Sequence, residues 1–408
     1  MKNTTYFSMN TLFNGSTHPS TSLVTSSSNM TGNTSEDADN LINTFISSGL
    51  KIDAINDKYF STVLLPSFVY ACVLLTVGIP GNSLVVYVYG FKSKKTVSRL
   101  FILTLAILDL INCLFSISTE LFLMWNFLKF DFPAICKISR FITSFCNHST
   151  TIVLLTIAID RFRKIRHPLK TKMKMSTAKR IMIFSMIFGC LTGIPFALFY
   201  GTKTLVLTTV VTDTQRFVYE GKTCLPRDGL DIIYKEILLI VLSIAHVVSD
   251  VILVVLYSFV GKAVLSSNKS FRRVDPTSNK SHSNRKISFE LGRRNTSRSN
   301  STSSVPGNVS RTNTMLFLVT LVFILSFVPY LILAYIRTFQ SETHNTSSLH
   351  KAIQQLFLRS YFLNSAVNPI VYCFVCKHFR QEAITGIRRM FSRNQTKYRP
   401  SRPTAIHN

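Results

Sequence analysis

The chain has 408 residues, of which 47% are hydrophobic, 12% aromatic and only 16% charged. That balance excludes collagen, coiled coil and general disorder, and it is unlike that of a soluble domain of this length. Lys and Arg number 46 against 19 Asp plus Glu, a formal charge of +27 that would suggest nucleic acid in a soluble protein. The placement of the charges points elsewhere.

Between Lys58 and Lys92 there is no charged side chain, and these 33 residues of helix exceed the roughly 20 needed to cross a bilayer core. Further apolar runs follow at Leu100 to Phe122, Phe141 to Ile159, Ile181 to Tyr200, Ile237 to Gly261, Thr314 to Ile336 and Leu356 to Phe374. A buried core helix can mimic one such run; seven of them, separated by basic or Ser/Asn-rich loops, predict an all-α membrane bundle. Of the 46 Lys and Arg, 32 fall in alternate connections and the C-terminal segment: 4 between spans one and two, 9 from Arg161 to Arg180, 11 from Lys262 to Arg311 and 8 after Phe374. The positive-inside rule then places the N-terminus outside and the C-terminus in the cytoplasm. The excess charge reflects membrane topology and contact with the lipid bilayer, not nucleic-acid binding.

Residues 1–60 are rich in Ser, Thr and Asn and lack the apolar region of a signal peptide, so they read as a disordered extracellular tail, the first span directing insertion. Asn3, Asn14, Asn29 and Asn33 each begin a sequon there and are the glycosylation candidates. Sequons such as Asn268 and Asn295 fall on the cytoplasmic side, where topology rules them out. The expected receptor domain is 61–391, with a disordered third cytoplasmic loop over about 266–313 and a cytoplasmic tail over 392–408. In that loop Ser288 and Thr296 follow basic pairs and match basophilic kinase sites, with chance matches in a solvated linker as the alternative.

Polar groups inside the spans carry the functional signal. Asp109 sits mid-span, where an ionised carboxylate costs about 2.5 to 3.5 kcal/mol on insertion scales, so it marks either a functional site or a locally paired acid. Asn82, Thr150, Asn364, Ser365 and Asn368 supply oxygens on other spans that would hold a hydrated cation such as sodium beside it. Pro369, in Asn368-Pro369-x-x-Tyr372, and Pro329 remove amide donors from the last two spans, giving either hinges or tolerated kinks. Asp160-Arg161 closes the third span as an acid and base where the helix meets water.

In combination these motifs resemble the rhodopsin-like, class A, G-protein-coupled receptors: Gly81-Asn82, Leu105-Ala106-x-x-Asp109, Cys136, Asp160-Arg161-Phe162, Leu256-Tyr257-Ser258, Phe323-x-x-x-Phe327-x-Pro329, Asn368-Pro369-Ile370-Val371-Tyr372 and Phe379-Arg380. The resemblance covers Ser61 to Phe391. It implies a seven-transmembrane bundle with an amphipathic eighth helix beginning near Phe379, no catalytic chemistry, and a Cys136–Cys224 disulfide. It also implies that Asp109 with Asn82, Thr150, Asn364, Ser365 and Asn368 forms an allosteric sodium site. Arg161 is then held by Asp160 at rest and joins the G-protein pocket when the sixth helix swings out, with Tyr257 and Tyr372 reaching toward it. Partners on this reading are an extracellular ligand, a heterotrimeric G protein, arrestin and receptor kinases.

Departures from the family pattern are Phe162 after Arg161, Phe327 in place of the toggle Trp, Ser326 in place of Cys, no Trp in the fourth helix, and Ser249-Asp250 where a proline is usual in the fifth. Asp250 either pairs with His246 one turn earlier or marks altered helix-five geometry. Thr143 stands where amine receptors carry Asp, and Phe362 where opsins carry Lys, so amines and retinal are disfavoured. Thr204 to Val211 and Arg216 to Thr223 predict a β-hairpin in the second extracellular loop, similar to those of peptide receptors. Candidate ligand contacts are Glu120, Arg337 and Arg359 near the outer helix ends and Thr143, Asn147, His148, Phe327 and Tyr330 deeper, each with helix packing as its alternative.

The reading is a multi-pass plasma-membrane receptor that couples (neuro)peptide binding to G-protein activation. A lipid or small-molecule receptor is the alternative within the family. A transporter or channel is the alternative outside it, though it would require repeats and broken helices around a midplane site.

Overall fold

A computed structural model describes residues 5–8, 52–166, 172–212, 215–226, 232–273, 306–339 and 347–396. In chain order the elements are strand β1 (Thr5–Ser8), helices α1 (Ile52–Lys92), α2 (Val97–Trp125), α3 (Pro133–Arg166) and α4 (Met175–Phe199), strands β2 (Tyr200–Thr212) and β3 (Gln215–Pro226), and helices α5 (Ile232–Arg273), α6 (Pro306–Phe339), α7 (Ser348–Phe357), α8 (Leu363–Val375) and α9 (Lys377–Thr396). The glycosylation candidates Asn3, Asn14, Asn29 and Asn33 and the phosphorylation candidates Ser288 and Thr296 lie outside the described residues.

Six of these helices contain a stretch long and apolar enough to cross a membrane. The seventh crossing is built differently from the continuous Leu356 to Phe374 run read from the sequence. α7 ends at Phe357, a 3-10 turn covers Ser360–Phe362, and α8 begins at Leu363. The cause is local: the Arg359 guanidinium donates to the Gln355 carbonyl at 2.8 Å. A continuing α-helix would give that acceptor to the Arg359 amide, which bonds instead to the Leu356 carbonyl at 3.0 Å. α7 is started by Ser347, whose hydroxyl accepts from the His350 amide at 3.3 Å, as Thr96 does for Arg99 at the head of α2.

The bundle has an apolar core threaded by buried polar side chains, and an apolar rim. Val69, Val73, Ile183, Phe184, Leu191, Leu198, Val247, Val251, Leu325 and Ile332 are exposed, as side chains facing lipid should be. Phe101, Leu105, Val153, Ile157, Phe323, Phe362 and Tyr372 pack inside. α4 meets α3 through a line of small residues, Ala178, Ser185, Gly189 and Gly193. A Cβ at Gly189 would lie 2.8 Å from the Phe145 carbonyl and collide with the Ser149 hydroxyl, so only glycine permits this approach. That seam does without the tryptophan usual in a fourth helix.

At one end of the bundle β2 and β3 pair antiparallel, from Tyr200↔Pro226 to Thr212↔Gln215, several residues longer than the predicted hairpin. An irregularity between Val210 and Thr212 absorbs the extra length near the tip. Cys136 and Cys224 are bonded, fixing β3 to the start of α3. The α2–α3 connection is sewn to the same strand: the Phe130 amide donates to the Lys222 carbonyl at 2.9 Å, and the Lys222 amide to the Leu128 carbonyl at 2.7 Å.

Three boundaries differ from those read from the sequence. Within the expected disordered tail 1–60, Thr5–Ser8 pairs in parallel with Leu205–Thr208 of β2, and α1 begins at Ile52. The hairpin's open edge offers β1 its ladder partners, and the Asn56 side chain anchors α1 by donating to the Trp125 carbonyl at 3.0 Å and accepting from the Leu128 amide at 3.0 Å. α5 continues to Arg273 and α6 begins at Pro306, so the outer parts of the 266–313 loop are helical, because adding a residue to an existing helix costs far less than nucleating one. α9 starts at Lys377, two residues before Phe379, and reaches Thr396, inside the expected tail 392–408.

Candidate functional site

The candidate site is a column of buried polar side chains running from the hairpin end of the bundle to the α9 end. Three clusters make it up.

The middle cluster centres on Asp109, only 2% exposed. Its Oδ2 accepts from Asn368 Nδ2 at 2.7 Å. Asn112 donates to the Ser365 hydroxyl at 2.9 Å, and Asn82 to the Ser365 carbonyl at 2.7 Å and the Gly78 carbonyl at 3.0 Å. Asn364 is buried on α8, and Thr150 on α3, one turn beyond Cys146. The amide oxygens of Asn82, Asn112, Asn364 and Asn368 have no hydrogen-bond partner among the described residues. A buried carbonyl-type oxygen without a donor is costly, and one carboxylate with such oxygens is a hard, oxygen-only, singly negative donor set that fits a small monovalent cation. Asn112 escaped the sequence reading, although its i+3 spacing from Asp109 was a usable signal. It opens a π-helical stretch, Asn112–Ile117, whose extra residue re-aims the side chains that follow.

Two prolines shape the helices around this cluster. A Cβ on Gly81 would come within 2.8 Å of the Pro369 ring, so α1 touches the kinked turn of α8 directly. In α6, Pro329 disrupts the preceding turn, and the nearby Ser326 carbonyl accepts from the Ser360 hydroxyl of the broken seventh crossing at 2.6 Å. Phe327 lies 4.8 Å from Phe323, 5.8 Å from Tyr361 and 4.3 Å from the ring of His246 on α5. Asp250 lies beside His246, its carboxylate 3.7 Å from Nε2, but no hydrogen bond joins them.

At the α9 end, Asp160 and Arg161 are both buried. Arg161 Nε stands 3.9 Å from Asp160 Oδ2, whereas Lys164 Nζ lies 2.6 Å from the same oxygen. Arg161 instead donates through Nη2 to the Ser98 hydroxyl of α2. Neither Lys164 nor Ser98 was singled out from the sequence; Lys164 had a signal in its i+4 spacing, Ser98 had none. Tyr257 packs on Phe317 at 5.8 Å, and Tyr372 lies between Tyr89 and Phe379, 6.3 and 6.2 Å from them. The two tyrosines are buried on α5 and α8.

The hairpin-end cluster holds Glu120 between two guanidiniums. Arg359 Nη2 is 2.9 Å from Glu120 Oε1, and Arg140 Nη2 is 3.1 Å from Oε2. Arg140, one turn inside Cys136, was not among the sequence candidates, because an arginine near a span end reads as snorkelling. Tyr330 packs against Tyr361 at 5.1 Å. Of the deeper candidates, Thr143 donates to its own helix at Ser139 at 2.8 Å, and His148 is hydrogen-bonded to Ser144 at 3.0 Å, an interior satisfied histidine. Asn147 is half-buried on α3. The Arg337 side chain lies outside the described residues.

The comparisons agree with this architecture. The chain is 23% identical over 315 residues to a tachykinin-like peptides receptor of Drosophila melanogaster, a match covering 75% of this chain but only 55%, about half, of that relative. It is 23% identical to the C3a anaphylatoxin chemotactic receptor of Danio rerio, covering 85% and 81% of the two chains. With the human growth hormone secretagogue receptor type 1 it shares 24% identity over 80% and 83%. The family model of the seven-transmembrane receptors (rhodopsin family) matches residues 81–372, so the chain with this buried polar column belongs to that family of membrane receptors.

Proposed function

We propose that the protein is a cell-surface receptor that binds a peptide at its hairpin end, facing outward, and activates a heterotrimeric G protein at its α9 end, facing the cytoplasm. The observation that carries the reading is the polar column itself. A receptor needs one element that two sites can bias, and here Asp109, Asn368 and Ser365 tie α2 to α8 midway between a lidded outer cluster and the Asp160–Arg161 pair. The basic connections at the α9 end support the orientation. A peptide is favoured over a lipid because a disulfide-fixed hairpin of two long strands stands at that end of the bundle, and because one relative is named for tachykinin-like peptides.

In the resting state, the Asp109 cluster would hold a sodium ion with the amide oxygens of Asn82, Asn112, Asn364 and Asn368, with Thr150 beside them. The ion would supply positive charge that keeps α2, α3 and α8 together. Ligand binding near Phe327 and Tyr361 would shift α6 at its Pro329 kink, releasing Arg161 to the G protein. Arrestin and receptor kinases would then act on the cytoplasmic segments, with Ser288 and Thr296 as candidate phosphorylation sites.

The test is G-protein activation in cells expressing the chain, exposed to tissue peptide extracts with and without endoprotease digestion, against an Arg161→Ala control. Activation abolished both by digestion and by Arg161→Ala is expected. Activation that survives digestion would overturn the peptide reading, and flux of a solute without Arg161 dependence would overturn the receptor reading.

A further inference from the structure

The cluster at the hairpin end is unbalanced. Glu120, 5% exposed, is one carboxylate shared by two guanidiniums, and no other acid among the described residues lies within 4.0 Å of either. The two arginines are not equivalent. Arg359 has more partners: besides Glu120 it donates to the Gln355 carbonyl at 2.8 Å and to the Gln355 side-chain oxygen at 2.7 Å, while its buried Nε, like that of Arg140, has no partner among the described residues. Arg140 meets Glu120 Oε2 without hydrogen-bond geometry, and its buried Nε has no partner among the described residues. Its guanidinium lies 5.6 Å from the centroid of the Tyr200 ring, at the foot of β2. Tyr330 and Tyr361 also stand near enough to feel its charge.

One surplus positive charge on a side chain only 20% exposed and short of acceptors is an expensive feature for a membrane protein to keep. Arg359 offsets part of its cost through the Gln355 carbonyl and side chain, and Arg140 has no such local acceptor among the described residues. An incoming anion would remove the imbalance. Its chemistry is constrained by what is present: the free edge of a guanidinium matches a carboxylate in two parallel hydrogen bonds, a single negative charge balances the cluster, and Glu120 alongside repels a doubly charged phosphate. Tyr200 offers its ring face beside it. Arg140 sits one turn inside the Cys136 that anchors the hairpin, at the end of the bundle the hairpin occupies.

We propose that Arg140 is the anchor for a ligand carboxylate, specifically the free C-terminal carboxylate of the peptide, with Glu120 as the positioning residue that faces its guanidinium and Arg359 holding Glu120 from the other side. The identity of the ligand as a peptide rests on the function proposed above; the demand for a carboxylate rests on the cluster alone. An amidated peptide, which would leave the surplus charge uncompensated, is disfavoured.

Two arms test it. In the first, a tissue peptide extract is applied to receptor-expressing cells untreated, after methyl esterification of its carboxylates, or after carboxypeptidase treatment, on wild type, Arg140→Gln and Arg140→Lys. Esterification and carboxypeptidase should each abolish activation, and Arg140→Gln should shift the dose-response curve by about 30-fold or more, with partial recovery in Arg140→Lys. Undiminished activity of the esterified extract would overturn the anchor and leave the peptide reading standing if endoprotease still abolishes the signal. A signal lost on esterification but resistant to all proteases would sink the peptide reading and transfer the anchor to a lipid or metabolite acid. Loss on esterification with resistance to carboxypeptidase alone would move the contact to an acidic side chain and overturn the C-terminal assignment. The second arm needs no ligand: thermal unfolding of purified receptor. Removing an uncompensated buried charge should leave Arg140→Gln at least as stable as wild type, whereas Glu120→Gln, which leaves two unpaired guanidiniums, should be several degrees less stable. A clear loss of stability in Arg140→Gln would make the residue structural and end the proposal, even if every extract proved inert.

Discussion

At Gly81 the α1 backbone approaches the Pro369 ring so closely that a single added carbon would sit 2.8 Å from it. Gly81→Val therefore has to push α8 away, at an overpacking cost of about 1 to 3 kcal/mol, and should lower the Tm of the purified receptor. Gly261, with nothing within 4 Å of its would-be Cβ, is the internal control. Gly261→Ala relieves a helical glycine and should hold or slightly raise Tm; equal losses for the two variants would mean that contact with Pro369 does not set the cost at Gly81. A few residues away, the four partnerless amide oxygens around Asp109 make a second residue-scale prediction. Sodium chloride should raise the Tm of the ligand-free receptor more than choline chloride at equal ionic strength, and Asp109→Asn should remove the difference. A sodium effect that persists in Asp109→Asn would place the ion elsewhere.

Among the elements, the broken seventh crossing has the clearest mechanical consequence. Its 3-10 turn presents Ser360 to the Ser326 carbonyl at 2.6 Å, a link to α6 close to Pro329, where that helix is weakest. Ser360→Ala removes the link. Interhelical hydrogen bonds in membranes average about 0.6 kcal/mol, enough to raise ligand-free G-protein activation roughly two- to threefold if α6 moves on activation. Unchanged basal activity would mean the bond survives in the active state. Why this break was not legible is instructive. The apolar run from Leu356 to Phe374 signals a continuous span, and only the tertiary position of Glu120 shows that Arg359 turns inward and competes for its own helix's carbonyl. The same limit hid Arg140 and Ser98, since a lone polar residue on a span is assigned inside or outside by helix rotation, which periodicity fixes poorly. What was legible were groups whose cost is independent of rotation, such as Asp109 and the prolines, the apolar runs that gave the bundle and the β-branched runs that gave the hairpin, while the Cys136–Cys224 pair followed from the family resemblance.

For the whole molecule, the question is what holds the resting state, and the geometry at Asp160 gives an answer open to test. Its Oδ2 is claimed by Lys164 at 2.6 Å, so Arg161, 3.9 Å away, is held more by the Ser98 hydroxyl than by its neighbouring acid. On the proposed mechanism the resting lock would be divided between these two holds, with Lys164 competing for the acid. Lys164→Met would free the carboxylate for Arg161, and a full charge-assisted bond in place of a long contact is worth about 1.5 kcal/mol or more, close to tenfold in the resting-to-active ratio. Basal activation, normalised to surface expression, should fall; Ser98→Ala, which loosens the other hold, should raise it. Because ligand and G protein bias one equilibrium, the two effects cannot remain local. Lys164→Met should also weaken the apparent affinity of an activating ligand at the opposite end of the bundle, and Ser98→Ala should strengthen it, each by up to the factor seen in the resting-to-active ratio. If basal activity shifts while ligand affinity stays fixed, the Arg161 lock and the ligand site are not parts of one switch, and the polar column between them is a structural core only.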